Sequence, residues 1–312
     1  MKLYLISCIT LLVLIIAIFI ASLYFYNLAI FRKEKKFLSN NDDFSEDISK
    51  LNHSGLSWIE KNHCKTIGIL SHDGLKLKGY YIESKKESDV TIILVHGYSS
   101  KGKHMGFFAE YYYEKLGFNV LMPDLRGHGE SEGNYIGFGW HDRLDIIKWI
   151  NYIVKSKGEN EKIFLHGISM GASTVLMTSG EELPVNVKGI ISDCAYSSVE
   201  KILTYQARKM YGLPKFPVIP ATSLLCRLRS GYNFREASAI EQLKKCKLPI
   251  LFIHGYKDNF VPTSMVHELY NTVNGNKDLL LIEGAGHGAS YATNMTEYQR
   301  AVKTFIDKIL FK

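Results

Sequence analysis

The sequence predicts an α/β protein built on a mostly parallel, doubly wound sheet. After residue 64, short apolar runs rich in β-branched residues alternate with segments of helical periodicity. The run 90–95 is almost wholly apolar, which is typical of a strand covered on both faces. Repeated strand–helix–strand order predicts crossovers that place helices on both sides of one sheet. Ligands of such sheets bind at the carboxyl ends of the strands, so residues that follow strands are the candidates for chemistry.

Eight strand-like and five helix-like segments form this alternation. Strands are predicted at 67–70, 75–82, 90–95, 118–122, 162–166, 187–192, 248–254 and 279–282, and helices at 105–116, 141–154, 170–180, 262–273 and 297–310. The first two strands flank a turn sequence at 72–74 and are expected to form an antiparallel hairpin. Residues from about 197 to 241 contain no convincing strand. Pro214, Pro217 and Pro220 interrupt apolar residues there, which predicts a helical cap insertion.

The N-terminal segment 3–31 carries no formal charge and is dominated by aliphatic residues. A bilayer hydrocarbon core of roughly 30 Å needs about 20 helical residues, so this segment is predicted to be one transmembrane anchor. A cleaved signal peptide is disfavoured because its apolar region would span only about 7–15 residues and end at small residues. Aromatic residues at 24–26 and basic residues within 32–36 mark the interface. They favour anchoring in the cell membrane with the following domain on the cytoplasmic side.

Residues 32–63 are predicted to be a juxtamembrane linker that includes a short helix, and residues 64–312 the globular domain. The net charge of +7 contains +4 within the first 36 residues, leaving +3 for the rest. This distribution describes a basic collar beside the anchor and argues against a nucleic-acid partner. The five cysteines are scattered without paired spacing, so neither a disulfide framework nor a zinc site is expected.

Gly167-Ile168-Ser169-Met170-Gly171 lies directly between a predicted strand and a predicted helix. In that context the G-x-S-x-G pattern predicts a sharp turn that lifts the serine above the sheet at a helix N-terminus. The flanking glycines are needed because side chains two residues before and after the serine would collide. Ser169 is therefore the candidate nucleophile, with a simple glycine-rich turn as the alternative.

A serine hydroxyl needs a base to accept its proton, and the base needs an acid to orient it. On this type of sheet the chain order is serine, acid, histidine. Asp258 follows the predicted strand 248–254, and His287 follows the last strand. Both residues are therefore assigned to the relay, and Asp193 and Asp278 are the less favoured acids.

The chain resembles the α/β-hydrolase superfamily in five motifs. They are the strand end His96-Gly97, the stretch 124–131 with Asp124, Arg126 and His128, the serine elbow, and the segments around Asp258 and His287. Within it, the chain is similar to bacterial membrane-anchored hydrolases of the serine-aminopeptidase-like branch over roughly residues 60–312. The resemblance implies an α/β-hydrolase fold for residues 64–312. It also implies an oxyanion hole from the backbone N–H groups of Tyr98 and Met170, and a mainly structural role for 124–131.

These observations predict acyl transfer to water on a Ser-His-Asp relay, with a small-molecule acyl substrate and neither metal nor organic cofactor. Ester hydrolysis of carboxylesterase or lipase type is favoured, with thioesters and amides as related substrates. The alternatives are an aminopeptidase-like peptidase and a non-catalytic membrane protein that binds a lipid or partner. Substrate contacts are expected at the predicted cap and beside the serine, from Tyr98, Asp193, Phe216, Val218, Ile219 and Leu224. Asp193 has an alternative role as the cap of the following helix.

Overall fold

A computed structural model of the chain describes residues 1–33 and 46–311, without the side chains of 46–50. Eight strands form one sheet in the order β1-β2-β4-β3-β5-β6-β7-β8. The strands are β1 (Lys65–Leu70), β2 (Lys76–Ile82), β3 (Val90–Val95), β4 (Asn119–Pro123), β5 (Lys162–Ile168), β6 (Val187–Asp193), β7 (Ile250–Gly255) and β8 (Lys277–Ile282). All eight predicted strands are present, each within two residues of its expected ends.

β1 and β2 form the predicted antiparallel hairpin, and β2 also pairs antiparallel with β4. Every other neighbouring pair is parallel, which confirms the predicted mostly parallel sheet. β3 and β7 are buried along their whole length, which explains why they are predominantly apolar. β1, at the edge of the sheet, is largely exposed.

Helices cover both faces of the sheet. They are α1 (Lys2–Phe25), α2 (Glu46–Lys61), α3 (Gly106–Glu110), α4 (Asp142–Lys157), α5 (Met170–Thr178), α6 (Val199–Tyr211), α7 (Val218–Ser230), α8 (Ala239–Leu243), α9 (Thr263–Thr272), α10 (Ser290–Thr293) and α11 (Met295–Leu310). One core contains buried side chains of α4, α5, α6 and α9, including Trp149 and Ile202. The second contains side chains of α2, α3 and α11, including Trp58, Phe108 and Phe305. The last helix, α11, contributes Tyr298, Val302 and Phe305 to this second core.

The predicted cap region 197–241 contains α6, α7 and the start of α8. α6 begins at Ser198, whose hydroxyl accepts a hydrogen bond from the Lys201 N–H, and ends at Gly212 with a left-handed φ of 64°. Pro220 lies in the first turn of α7, where a missing N–H costs no helical hydrogen bond. The prolines therefore separate and begin the helices of the cap without breaking them.

α2 lies within the predicted linker 32–63, and its 16 residues make it longer than the short helix expected there. Residues 34–45 of that predicted linker lie outside the described residues. Trp58 and Ile59 of α2 are buried, and a Cβ at Gly55 would collide with the backbone of Gly106 and Phe107. Close approach of the two backbones at these glycines stabilises a helix whose polar composition gives it little stability alone.

The stretch 124–131 is a rigid part of the fold. The Asp124 carboxylate accepts hydrogen bonds from the N–H groups of Gly102 and Glu130 at 2.6 and 2.8 Å. Arg126 is fully buried and forms bidentate pairs with Asp145 and with Asp73. Because these side chains bind each other and the backbone, they brace the loops beside the serine elbow.

The N-terminal helix continues from α1 through a wider turn at Tyr26–Ile30. As a whole, Lys2–Ile30 is long and apolar enough to cross a membrane. Residues 1–17 are exposed, whereas Ser22, Tyr26 and Ile30 are buried against the globular domain. Their spacing of four places them on one helical face. The Tyr26 hydroxyl lies 2.9 Å from the Ser230 hydroxyl of α7, and the N–H of Ile136 donates to the Ile30 carbonyl at 2.7 Å.

Candidate active site

Ser169 occupies the turn between β5 and α5 with φ 55° and ψ −115°, a conformation that is strained for a residue with a side chain. A Cβ at Gly167 would collide with the backbone of Gly171, and one at Gly171 would collide with the Val95 carbonyl. The Ser169 N–H donates to the Asp193 carbonyl at 2.8 Å, which holds the turn against β6. The serine side chain therefore projects from the carboxyl end of β5 at the N-terminus of α5.

His287 lies between the hydroxyl of Ser169 and the carboxylate of Asp258. Its Nε2 is 2.8 Å from the Ser169 Oγ, and its Nδ1 is 2.8 Å from the Asp258 Oδ2. Both His287 and Asp258 are almost fully buried, at 3% and 4% exposure. The structure thus brings together, at the ends of β5, β7 and β8, the three side chains that the sequence selects. A neutral imidazole with its proton on Nδ1 donates to Asp258 and accepts from the serine.

Asp258 is held as a carboxylate by its surroundings. Its Oδ1 accepts hydrogen bonds from the N–H groups of Phe260 and Val261 at 2.9 and 2.8 Å. Burial by itself would raise the pKa of Asp258, but the neighbouring His287 and His254 outweigh it and hold the pKa well below its usual range. The acid is therefore ionised and fixed in orientation at neutral pH.

His254, at the end of β7, is a supporting residue that sequence reasoning left without a role. Its Nε2–H donates to the Val261 carbonyl at 2.9 Å and lies 3.3 Å from the Asp258 Oδ2. It therefore ties both ends of the loop that carries Asp258. In the sequence, the only sign of this role is a histidine four residues before the acid. The fold shows that the loop returns to His254 at Val261.

The loop after β3 lies directly against the serine. A Cβ at Gly97 would be 3.3 Å from the Ile168 carbonyl oxygen and 3.5 Å from the Ser169 Cβ. The adjacent Tyr98 N–H belongs to the same peptide as the Gly97 carbonyl, and the two groups of a trans peptide point in opposite directions. The N–H of Met170 is at the first position of α5, where a helix offers no internal acceptor. These two amides are the ones expected to form an oxyanion hole.

His96 fixes the orientation of that peptide. Its Nδ1–H donates to the Gly97 carbonyl at 2.8 Å, and its Nε2 accepts from the Leu125 N–H at 3.0 Å. Burial lowers the pKa of His96 to about 4, so the ring is neutral at physiological pH and keeps this donor–acceptor arrangement. In the sequence His96 is recognisable only as part of the His96-Gly97 strand end, which does not indicate this function.

An apolar pocket of about 860 Å³, open solvent at its mouth included, adjoins Ser169. Its wall is built almost entirely from apolar and aromatic side chains contributed by the cap, by the loops at the carboxyl end of the sheet and by the N-terminal helix. The lining residues include Tyr98, Phe138, Tyr196, Ile202, Leu203, Gln206, Ile219, Phe234 and Phe260, together with Phe25, Leu28 and Ala29. Sequence reasoning assigned the last three only to the membrane anchor.

Two of the six expected substrate contacts, Tyr98 and Ile219, line this pocket. Phe216 and Leu224 are instead 75% and 60% exposed on the outside of the cap, and Val218 lies outside the lining residues. For Leu224 the reason is helical rotation, since Ile219 and Thr222 of the same helix turn inward. Phe216 lies in the segment that precedes α7.

The expectation for Asp193 is also corrected. Its side chain is fully buried and accepts hydrogen bonds from Tyr298 at 3.1 Å and Ser290 at 3.3 Å. The carboxylate therefore faces α10 and α11 beneath the site, and it lines neither pocket beside Ser169. Burial raises the pKa of Asp193 to about 6, although His254 and Tyr298 lower it in part.

A second, more polar compartment of about 920 Å³, open solvent included, lies on the other side of Ser169. It is lined by Ser99, Ser100, His104, His287 and Asn52 of α2, and also by apolar side chains such as Phe107 and Phe108. The nucleophile thus stands between an almost wholly apolar compartment and one of mixed polarity. Such an arrangement suits a substrate with an apolar acyl part and a polar leaving group.

One cluster near the serine has potential metal-ligand atoms within 4.8 Å of one another, contributed by Cys194, Asp258 and His287. However, Asp258 and His287 already bind each other, and His287 also binds Ser169. Burial holds the pKa of the Cys194 thiol well above its usual value, so it remains protonated. The cluster is therefore suited to proton transfer rather than to holding a cation.

The parallel sheet, the strained serine after β5 and the acid and histidine after β7 and β8 define an α/β hydrolase. Residues 86–218 match the family described as serine aminopeptidase, S33. The uncharacterised Bacillus subtilis protein YqkD is 30% identical over 300 residues, which cover 95% of each chain. The chain belongs to this family of α/β hydrolases.

Two further similarities extend the comparison. An esterase from Pyrococcus furiosus aligns with a TM-score of 0.61 and 25% identity, covering 82% of this chain and 95% of the esterase. A Saccharomyces cerevisiae protein described as a membrane protein is 23% identical over 69% of this chain and 74% of its own length. The similar structure agrees with the hydrolase fold that the sheet order shows.

Proposed function

We propose that the protein is a membrane-anchored serine hydrolase that cleaves an acyl ester, with thioesters and amides as related substrates. The observation that carries this proposal is the relay from Ser169 through His287 to Asp258, with 2.8 Å at each step, at the end of an apolar pocket. The similarity to a solved esterase supports it.

In this proposal the Ser169 hydroxyl attacks the substrate carbonyl as its proton passes to the His287 Nε2. The N–H groups of Met170 and Tyr98 stabilise the negative oxygen of the tetrahedral intermediate. His287 then gives its proton to the leaving alcohol, which leaves an acyl group on Ser169. Water, activated by the same imidazole, releases the acid and restores the serine. Asp258 keeps the imidazole in the required tautomer and stabilises its cation.

A second candidate, aminopeptidase activity, is favoured by the family description alone. An aminopeptidase must bind a free ammonium group, for which buried or clustered carboxylates are the usual partner. Within the described part of the chain, neither pocket beside Ser169 is lined by an aspartate or glutamate. The apolar wall of the acyl pocket therefore favours ester hydrolysis.

The nucleophile is tested with a fluorophosphonate probe. Wild-type protein is expected to be labelled, and Ser169→Ala is expected to lose the label. Ser179→Ala, which changes a hydroxyl bonded to Leu176 at the other end of α5, is the matched control and should keep it. Absence of labelling in the wild type, or equal labelling of Ser169→Ala, contradicts the serine hydrolase and favours a non-catalytic binding protein.

The substrate class is tested with p-nitrophenyl esters of increasing acyl length beside amino-acid p-nitroanilides. We expect turnover of the esters, with a preference for acyl chains long enough to fill the pocket. A preference for the anilides would instead identify a peptidase. Ser169→Ala is the blank for both series.

We also propose that the N-terminal helix anchors the protein in the cell membrane with the catalytic domain on the cytoplasmic side. One basic residue, Lys2, precedes the apolar segment, and Arg32, Lys33, Lys35 and Lys36 follow it. Reporter fusions to the C-terminus test the orientation. Activity of a reporter that requires the cytoplasm is expected, and activity of one that requires the exterior would reverse the assignment.

A further inference from the structure

The end of the N-terminal helix is part of the wall of the acyl pocket. Phe25, Leu28 and Ala29 line the pocket that also contains Ser169. On the opposite side of that turn, Asn27 is exposed. The same continuous apolar helix therefore connects the proposed membrane segment with the space beside the nucleophile.

The length of the helix places this pocket close to the bilayer. Lys2–Ile30 comprises 29 residues, or about 44 Å at 1.5 Å per residue, whereas the hydrocarbon core is roughly 30 Å thick. Residues 1–17 are exposed, and burial against the catalytic domain begins at Ser22. The part of the helix before Ser22 is therefore about as long as the hydrocarbon core is thick. The remaining residues of the helix pack against the catalytic domain. The domain consequently lies against the membrane surface and not at the end of a tether.

The surface of the cap beside the helix has the composition of an interfacial element. α7 packs against the N-terminal helix, and the Arg229 guanidinium lies 5.4 Å from the centre of the Tyr26 ring. Leu224 and Leu228, one turn apart on α7, are 60% and 76% exposed. The predicted cap region 197–241 also carries a net charge of +4. Exposed apolar side chains with basic neighbours are typical of helices that lie on anionic membranes.

Two residues that line the pocket are exposed at the junction of α6 and the N-terminal helix. Met210 and Tyr211, at the end of α6, both line the pocket and are about 40% exposed. The Tyr211 ring meets the Phe25 ring edge-on, with centroids 5.3 Å apart. The boundary between α6 and the N-terminal helix is therefore formed by side chains that an acyl chain can displace without breaking the backbone.

We propose that the substrate is an acyl-ester lipid of the adjoining membrane leaflet, and that its acyl chain enters the pocket between the end of the N-terminal helix and α6. This inference rests on the proposed hydrolase function and on anchoring of the helix. The lipid's polar part occupies the compartment of Ser99, Ser100 and His104. The ester C–O bond breaks as Ser169 is acylated, His287 protonates the leaving alcohol, and water then releases the fatty acid.

The route is tested with full-length protein reconstituted in vesicles of phosphatidylcholine and phosphatidylglycerol. A fluorogenic acyl-ester lipid is placed either in the same vesicles as the enzyme or in separate, enzyme-free vesicles. We expect turnover in the shared vesicles at least about tenfold faster than in the separate ones, because the chain does not pass through water. Equal rates would overturn entry from the membrane. No turnover in either case, by a protein that fluorophosphonate labels, would overturn the lipid substrate.

The wall is tested by Leu28→Trp with Asn27→Trp as its matched control. Filling the pocket at position 28 should lower the ratio of long-chain to short-chain p-nitrophenyl ester turnover by about tenfold. The same side chain at position 27, on the exposed face, should leave the ratio unchanged. Leu28→Ala, which enlarges the pocket, should shift the preference to longer chains. An unchanged ratio in both Leu28 variants would remove the helix from the acyl pocket.

Separate experiments test the hydrolase activity and the lipid substrate. Fluorophosphonate labelling and turnover of a short, water-soluble ester report on Ser169 alone. Their absence in the wild type would contradict the proposed hydrolase. Their presence, combined with an unchanged chain-length ratio in the Leu28 variants and equal vesicle rates, would leave the hydrolase intact and contradict only entry of the acyl chain beside the N-terminal helix. Their presence without turnover of the lipid in any vesicle would contradict only the lipid substrate.

Discussion

The hydroxyl of Tyr98 donates a hydrogen bond of 2.8 Å to the backbone carbonyl of Ala29. Tyr98 follows Gly97 in the loop that lies against Ser169, and Ala29 belongs to the last turn of the N-terminal helix. One side chain thus connects the proposed membrane anchor with the proposed oxyanion hole. Its ring also packs against Phe138, with centroids 5.2 Å apart. The position of the anchor is therefore coupled to the geometry of the site.

Tyr98→Phe is expected to lower the free energy of unfolding by about 1–2 kcal/mol, because the Ala29 carbonyl loses its donor in a largely apolar environment. Denaturant unfolding of the full-length protein in detergent measures the change. Tyr256→Phe, at a tyrosine that is 57% exposed, is the control and should change stability by less than about 0.5 kcal/mol. Equal stability of Tyr98→Phe and the wild type would show that the bond contributes nothing to docking of the helix.

His96→Ala is expected to lower kcat by about 10- to 100-fold with little change in KM. Without the His96 Nδ1–H, the Gly97 carbonyl is no longer held, and the Tyr98 amide loses its aim at an oxygen whose charge develops only in the transition state. His96→Asn can place an amide N–H near the former Nδ1 and should recover much of kcat. If the alanine and asparagine variants are equally impaired, His96 only supports the fold.

Asp258→Asn is expected to lower kcat by about 10³- to 10⁴-fold while the protein stays folded. The N–H groups of Phe260 and Val261 require an oxygen at the Oδ1 position, so the amide NH₂ must face the His287 Nδ1. That imidazole then carries its proton on Nε2 and cannot accept one from Ser169. Steady-state kinetics with a p-nitrophenyl ester measure the loss. Asp278→Asn, at an aspartate on β8 that pairs with Lys308 at the surface, is the control. A loss below about tenfold for Asp258→Asn would assign the acid elsewhere.

The buried Asp193 predicts a pH dependence of stability. Because burial raises its pKa to about 6, the folded state holds a proton that the unfolded state has released above pH of about 4. Stability therefore decreases as pH rises from about 4 to about 6, by at most about 3 kcal/mol from this group. Asp193→Asn should remove this pH dependence. The free energy of unfolding of the variant, relative to that of the wild type, should therefore be higher at pH 7 than at pH 4. Parallel stability curves for the two proteins would contradict a raised pKa.

The serine elbow was predictable because its requirements are local. Two glycines, a serine, a preceding apolar strand and a following helix lie within one short stretch, and steric exclusion at Gly167 and Gly171 leaves few alternatives. The strands were predictable for a similar reason, since burial on both faces demands unbroken apolar sequence. Asp258 and His287 followed from their positions after strands in a known chain order, although their distances needed coordinates.

The sequence alone determined the strand and helix order, the doubly wound sheet and the candidate relay, because each depends on local pattern or on chain order. The tertiary structure decided which side chains surround the substrate. The rotation of α7 turned Leu224 outward, the packing of α10 and α11 enclosed Asp193, and Gly55 allowed α2 to form where a linker was expected. Most of all, it placed Leu28 in the pocket wall. Such contacts join segments remote along the chain, and side-chain packing in three dimensions sets them without leaving a periodic signal in either segment.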